Sequence, residues 1–212
     1  MTRLERNTTY NAIICLNGDL PLAERFDAWA NVPLIAADGA ANALASMGIV
    51  PEYVVGDLDS ILEETMDIIA EVATVIAMPD QDVNDFEKAL TAAQHQLFER
   101  VLVVGMHGGD LEHTLNNWSV LMRFGRSMNV HVLDRQRLAI PVYGPVKFSA
   151  TSNEIISLVP QPSVRLTTSG LQWPLTNETL ELGQREGARN RATSSEVTLD
   201  VHDGAVLVVL DA

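Results

Sequence analysis

Four short apolar runs in the first two-thirds of this chain end on an aspartate or just before one, and they alternate with helix-forming stretches. They are Leu34-Ile35-Ala36-Ala37-Asp38, Tyr53-Val54-Val55-Gly56-Asp57, Thr74-Val75-Ile76-Ala77-Met78-Pro79-Asp80 and Val130-His131-Val132-Leu133-Asp134. Further strands are predicted at residues 12–16 and 101–104, and helices at 22–30, 40–47 and 114–124. A strand–helix–strand rhythm implies a parallel sheet with helices on both faces. Such sheets bind ligands outside the carboxyl ends of their strands. Aspartates gathered at that edge repel one another unless a cation joins them. A hard divalent ion such as Mg2+ suits the position, because it takes a few carboxylates and leaves room for water and phosphate oxygens.

The rhythm stops near Gln136. Beyond it come short β-like stretches at 154–159, 164–168, 197–201 and 205–210, with Asp203-Gly204 as a hairpin signal between the last two. The expected architecture is therefore an α/β domain over residues 1–136 and a smaller all-β sandwich over 137–212.

The net charge of -14 argues against a nucleic-acid or anionic-membrane surface. It leaves a phosphate ligand open, since a bound metal reverses the local sign. No run of 18 apolar residues predicts a membrane span, and residues 1–11 are too polar for a signal region. Cys15 is the sole cysteine and lies in an apolar strand pattern, so it reads as core, and a lone thiol fits a reducing cytoplasm.

Gly56-Asp57-Leu58-Asp59-Ser60 is the sharpest local motif. Residues i and i+2 at a strand end project to one side, so Asp57 and Asp59 can face one ion; alternatively, Asp59 and Ser60 only cap a helix. Ser60-Ile61-Leu62-Glu63 and Asn84-Asp85-Phe86-Glu87 both have capping-box form. The second opens a helix with Phe86, Leu90, Ala93 and Leu97 on one face. Asp85 and Lys88 lie three apart on that helix, and Lys88 is the only lysine before Lys147. It either holds a phosphate or is an exposed lysine near an acid favoured by the helix dipole. Asp38-Gly39-Ala40-Ala41-Asn42 and Gly105-Met106-His107-Gly108-Gly109-Asp110 leave strand ends with small residues that let backbone N–H groups approach an anion, or simply turn the chain. Trp173 beside Pro174 is either a flat surface for an aromatic ligand or a core residue. No P-loop and no Cys/His zinc cluster is present.

In order along the chain, these segments resemble the thiamine pyrophosphokinase family. Asp38 to Asn42 is similar to D-G-[GA]-A-N, Gly56 to Ser60 to G-D-[FL]-D-S, and Pro79-Asp80-Gln81-Asp82 with Asp85-Phe86 and Lys88-Ala89-Leu90 to P-D-Q-D-x-T-D-F-x-K-A-L. Gly108 to Asn117 is similar to G-G-R-x-D-H-x-x-x-N, and Gly170 to Leu175 to G-L-[KQ]-[WY]-P-L.

The resemblance implies transfer of the pyrophosphoryl group of ATP to the thiamine hydroxyl, by a homodimer whose sites combine the α/β domain of one subunit with the β-domain of the other. It implies Asp57, Asp59 and Asp85 as Mg2+ ligands, with Asp38 in the same acidic group. Catalysis would fall to Asp57, Asp59, Asp85 and Lys88. Nucleotide-side contacts would come from Asp38, Gly39, Asn42, Gln81, Asp82, Gly108, Gly109, His113 and Asn117. Thiamine would meet Trp173, Pro174, Ser194 and Ser195. The chain departs from the pattern where Asp110 replaces Arg, Glu112 replaces Asp, Asn84 replaces Thr and Ser195 replaces Asn. Those departures keep two alternatives in view: a different acceptor such as a hydroxymethylpterin, or a non-catalytic thiamine or nucleotide sensor.

Overall fold

The computed structural model describes residues 1–6 and 8–212. It divides into two compact units: Thr9–Arg135, and Met1–Thr8 together with Gln136–Ala212. Strand β1 (Thr2–Arg3) opens the chain. The α/β unit then runs β2 (Ala12–Cys15), α1 (Ala23–Asp27), β3 (Leu34–Ala37), α2 (Ala40–Ser46), β4 (Tyr53–Gly56), α3 (Glu63–Ile69), β5 (Thr74–Ala77), α4 (Asp85–His95), β6 (Arg100–Val104), α5 (Leu111–Phe124) and β7 (Asn129–Asp134).

Its strands lie in the order β7-β6-β2-β3-β4-β5, and every neighbouring pair is parallel. From β2 the chain adds strands in one direction, then returns to place β6 on the other side. The order therefore reverses between β2 and β6. Right-handed crossovers put α1–α3 on one face and α4 and α5 on the other. Helix α4 packs over β2, β3 and β4. All four residues of β2 and of β3 are buried. Burial on both faces explains why these strands read as unbroken apolar runs. Cys15 is core as expected, and burial pushes its thiol up to about 12. Edge strand β5 is mostly exposed.

Two helix expectations change. Helix α3 begins at Glu63 with Leu62 as its N-cap and no side-chain cap, so Ser60 opens no capping box. Its hydroxyl instead meets Asp59 Oδ1 at 3.1 Å. Leu97 was expected on the apolar face of α4 but is exposed, with φ +60. The N–H groups of Leu97 and Phe98 donate to the carbonyls of Gln94 and Ala93, which is a Schellman ending with leucine in the left-handed position.

The second unit contains β8 (Arg137–Val142), β9 (Val146–Ser149), β10 (Ile155–Ser169), β11 (Glu178–Glu181), β12 (Gly187–Arg191) and β13 (Glu196–Asp211). The long strands β10 and β13 pair antiparallel and are shared by two layers. One layer is β12-β10-β13-β8 and the other β11-β10-β13-β9-β1. Ile156, Leu158, Val164 and Leu166 of β10 meet Val197, Leu199, Val206 and Val208 of β13 in the core.

The expected hairpin at Asp203-Gly204 is absent, because β13 is continuous through it. Pairing runs from Arg165↔Asp203 to Leu166↔Val201 and leaves His202 as an extra residue. Gly204, at φ +79, lies so close to the Ser163 carbonyl that no side chain fits. The positive φ thus serves a bulge that bends the strand, not a turn that ends it. Residues 1–8 also change unit. Thr2 and Arg3 pair with Val146 and Lys147, and Arg6 reaches buried Glu154 at 2.6 Å. Among the described residues, no helix is long and apolar enough to cross a membrane.

Candidate active site

A cavity of about 300 Å3 opens where the strand order reverses, beyond the carboxyl ends of β2, β3 and β6. Asn17 and Gly18 after β2, Asp38 and Gly39 after β3, and Gly105 and Met106 after β6 line it, together with the first turns of α4 and α5. Asn17 and Gly18 were not among the expected site residues, whereas Met106 belongs to the expected Gly105–Asp110 segment. The signal for Asn17 and Gly18 was positional, since both follow a strand beside the reversal.

Of the four strand-end aspartates, Asp38 lines this cavity and Asp57 joins it in one acidic group. One ligand atom from each of Asp38, Asp57 and Asp59 lies within 4.8 Å of the others. Strand alternation does not bring Asp57 and Asp59 together; Leu58 takes φ +71 in a turn just past β4. Asp38 itself has φ +44 and is 3% exposed. A Cβ at position 56 would lie 2.7 Å from Asp38 Cβ, so the glycine of G-D-L-D makes room for the neighbouring strand's carboxylate. The other two aspartates go elsewhere. Asp80 accepts from Asp82 N–H at 2.9 Å, and Asp134 stands 3.3 Å from His107 Nδ1.

Asp38 Oδ1 is buried and has no hydrogen-bond partner among the described residues. A buried carboxylate oxygen without a partner is costly. With two further carboxylates in reach, the donor set fits an oxygen-seeking cation such as Mg2+. Asp85 is tied to Lys88 rather than to this group.

Lys88 is 2% exposed, yet its Nζ lies 3.2 Å from Asp85 Oδ1 and 3.4 Å from Asp57 Oδ2. Burial works against its charge, but Asp85 and then Asp57 more than offset this, so its pKa stands above the ordinary lysine value. The carboxylates are pushed apart. A 2.7 Å hydrogen bond from Gln81 Nε2, with help from Lys88, holds Asp57 below the usual range. Burial raises Asp85 against the pull of Lys88, and the charges of Asp38 and Asp57 add to the rise.

Side-chain amides hold these loops. Asn42 donates to Ser60 O at 2.8 Å and accepts from Leu62 N–H at 3.0 Å, so both ends of its amide latch the loop carrying Asp57 and Asp59. Asn84 caps α4 by accepting from Glu87 N–H at 2.9 Å and donates to Asn117 Oδ1, also at 2.9 Å. The half of the capping box that Glu87 would supply is replaced by its ion pair with Arg123. Gly109, His113 and Asn117 line the cavity, Gly108 packs against Asp19, and Asp110 is the N-cap of α5.

In the β unit, Trp173 is 57% exposed rather than core. Pro174, Ser194 and Ser195 are exposed as well. Gly170 packs against the Glu196 carbonyl and accepts from Thr193 N–H, which brings the Trp173 loop beside the 193–196 turn.

A doubly wound sheet with Asp38 and Asp85 lining a cavity at its reversal point, and a buried lysine bonded to Asp85 and to Asp57, defines a phosphotransferase class of site. The comparisons with known proteins narrow this. Residues 26–133 match the model "Thiamin pyrophosphokinase, catalytic domain", and residues 145–206 match "Thiamin pyrophosphokinase, vitamin B1 binding domain". Thiamin pyrophosphokinase 1 of Caenorhabditis elegans is 30% identical over 181 residues, covering 78% of this chain and 73% of the relative. Thiamine pyrophosphokinase 1 of Arabidopsis thaliana is 27% identical over 229 residues, covering 91% and 83%. The crystal structure of thiamine pyrophosphokinase from Bacillus subtilis superposes with a TM-score of 0.79 at 22% identity, covering 95% of this chain and 99% of that one, which establishes the shared fold. The chain belongs to the thiamin pyrophosphokinase family.

Proposed function

We propose that this protein transfers the pyrophosphoryl group of ATP to the hydroxyl of thiamine, giving AMP and thiamine diphosphate. The observation that carries the reading is Lys88, buried between Asp57 and Asp85 and beside the Asp38–Asp57–Asp59 group, in the unit that matches a catalytic domain.

The thiamine oxygen attacks the β-phosphorus as the bond from that phosphorus to the α–β bridging oxygen breaks, and AMP leaves with that oxygen. The Lys88 ammonium faces the charge that develops on the transferred group. Asp85 suits the hydroxyl proton better than Asp57, because burial raises its pKa while Gln81 and Lys88 lower that of Asp57. Asp38, Asp57 and Asp59 would hold Mg2+, which when bound neutralises part of the triphosphate charge and fixes its oxygens. Gln81 steadies Asp57, and the amide latch of Asn42 keeps Asp57 and Asp59 in place.

Trp173 offers a flat apolar face to the pyrimidine ring, with Pro174, Ser194 and Ser195 nearby. A homodimer, with the α/β unit of one subunit serving the β unit of the other, completes the reading. The sole, buried thiol suits a cytoplasmic setting.

Incubation with ATP, Mg2+ and thiamine, with detection of AMP and thiamine diphosphate, tests the reaction. Asp57→Asn is expected to abolish turnover and leave the fold intact. Normal turnover by that variant removes the assigned role of Asp57. AMP release with hydroxymethylpterin but not thiamine redirects the acceptor, and ligand binding without AMP makes the protein a sensor.

A further inference from the structure

We infer that Asn190 is a positioning residue for the acceptor site, fixing the backbone of Trp173 so that its exposed ring meets thiamine in a set place. The inference rests on the proposed role of Trp173 as the thiamine-facing residue. Asn190 lies on β12 and is 6% exposed. Its Oδ1 accepts from Trp173 N–H at 3.1 Å, and its Nδ2 donates to Trp173 O at 2.8 Å. One buried amide therefore spends both ends on the main chain of a single residue. The same Oδ1 accepts from Arg191 N–H at 2.8 Å.

The neighbouring loop positions are held too. Gln172 N–H donates to Arg191 O at 2.8 Å, Leu175 N–H to Thr168 Oγ1 at 2.9 Å, and Asn177 N–H to Thr167 Oγ1 at 3.0 Å. Leu171 and Leu175 are buried and anchor the loop by packing. Trp173 lies between these anchors with more than half of its surface exposed. Its ring thus adds little to the core, and the benefit of clamping its backbone falls on where the ring stands. A surface ring whose main chain is already ordered loses less freedom when a ligand stacks on it.

The test compares Trp173→Ala, Asn190→Ala and Asn190→Asp in the full-length protein, with Val208→Ala as a core control that destabilises the same unit away from the loop. Asn190→Ala is expected to raise the KM for thiamine about tenfold, the scale of a lost buried hydrogen-bond pair, with kcat and the KM for ATP within about twofold. Asn190→Asp keeps the accepting oxygen but sets a second carboxylate oxygen against Trp173 O, so a rise at least as large is expected. It carries the test if Asn190→Ala does not fold. In a Trp29→Phe, Trp118→Phe background, thiamine should quench Trp173 fluorescence, and the quench should weaken when Asn190 is replaced.

An unchanged thiamine KM in the Asn190 variants while Trp173→Ala raises it overturns the clamp alone. An equal rise in Val208→Ala also overturns it, by reducing the effect to general loosening. If Trp173→Ala leaves the thiamine KM unchanged, the assigned role of Trp173 fails and the inference fails with it.

Discussion

The Lys88 ammonium lies 3.4 Å from Asp57 Oδ2, and that aspartate is also one of three carboxylates drawn into a single group. One lysine thus touches both the aspartate shared with the acidic group and, at 3.2 Å, the raised carboxyl of Asp85. Replacing it by Lys88→Met keeps the stem volume and removes the charge. Turnover is expected to fall about 100-fold or more, the scale of losing one preorganised stabiliser of developing charge. Lys88→Arg should not restore it, since a planar fork does not fit a pocket that leaves the side chain 2% exposed. Initial rates of AMP formation, with thermal melts to verify folding, check both variants. Near wild-type activity in Lys88→Met would detach the lysine from the chemistry.

His131 is 3% exposed, lies 3.1 Å from the Tyr10 hydroxyl through Nδ1, and packs edge-on against that ring. Burial, with the Arg100 charge adding to it, lowers its pKa from 6.5 to about 4. The folded protein therefore keeps the imidazole neutral at pH values where the unfolded chain protonates it. Between about pH 6.5 and pH 4 the unfolded state binds more protons, so stability is full above that window and falls as pH drops through it, by about 3 kcal/mol at most from this group. Denaturant unfolding at pH 7 and pH 5 should show a smaller drop in His131→Leu than in the parent. Equal drops in the two proteins would mean that His131 takes up its proton in the fold as readily as in the unfolded chain.

Glu154 is buried and accepts from Arg6 at 2.6 Å and 3.0 Å, from Thr151 N–H at 3.0 Å and from Asp211 N–H at 3.3 Å. Arg6→Met leaves that carboxylate with main-chain donors alone. Removing one partner of a buried ion pair costs about 3 kcal/mol, and the β unit should unfold earlier by that amount. Chemical denaturation followed by a signal specific to β structure reads it. A change below about 0.5 kcal/mol would class the contact with surface pairs.

The legible parts of this molecule are those whose partners are close in sequence. Asp57 and Asp59 are separated by one residue, and Asp85 and Lys88 by one helical turn, so their cooperation shows in the spacing even though a turn at Leu58, not strand alternation, joins the first pair. The doubly wound sheet was legible because buried parallel strands give unbroken apolar runs. What stayed hidden depends on distant partners. Arg6 and Glu154 are 148 residues apart, and Asn190 clamps a residue 17 positions before it. Asp203-Gly204 misled for a different reason: a dipeptide with positive φ signals a change of direction, and whether the strand turns back or bulges is decided by the strand beside it.

The last prediction separates a site built within one subunit from one shared between two. Asp57→Asn disables the α/β unit, and Trp173→Ala weakens the β unit; at thiamine well below the KM of the second variant, each homodimer should be inactive. If sites are shared, a mixed dimer contains one site carrying both changes and one carrying neither. Random exchange makes half of the dimers mixed, and half of their sites intact, so refolded or co-expressed equal mixtures should recover about a quarter of the parent rate. If each subunit supplies its own site, every site in the mixture carries one change and nothing is recovered. Size-exclusion chromatography with light scattering establishes the dimer, and the recovered rate then distinguishes the two arrangements. A single-subunit mass, or a dimer without recovery, rejects sharing while leaving the chemistry at Asp57 and Lys88 to stand on its own tests.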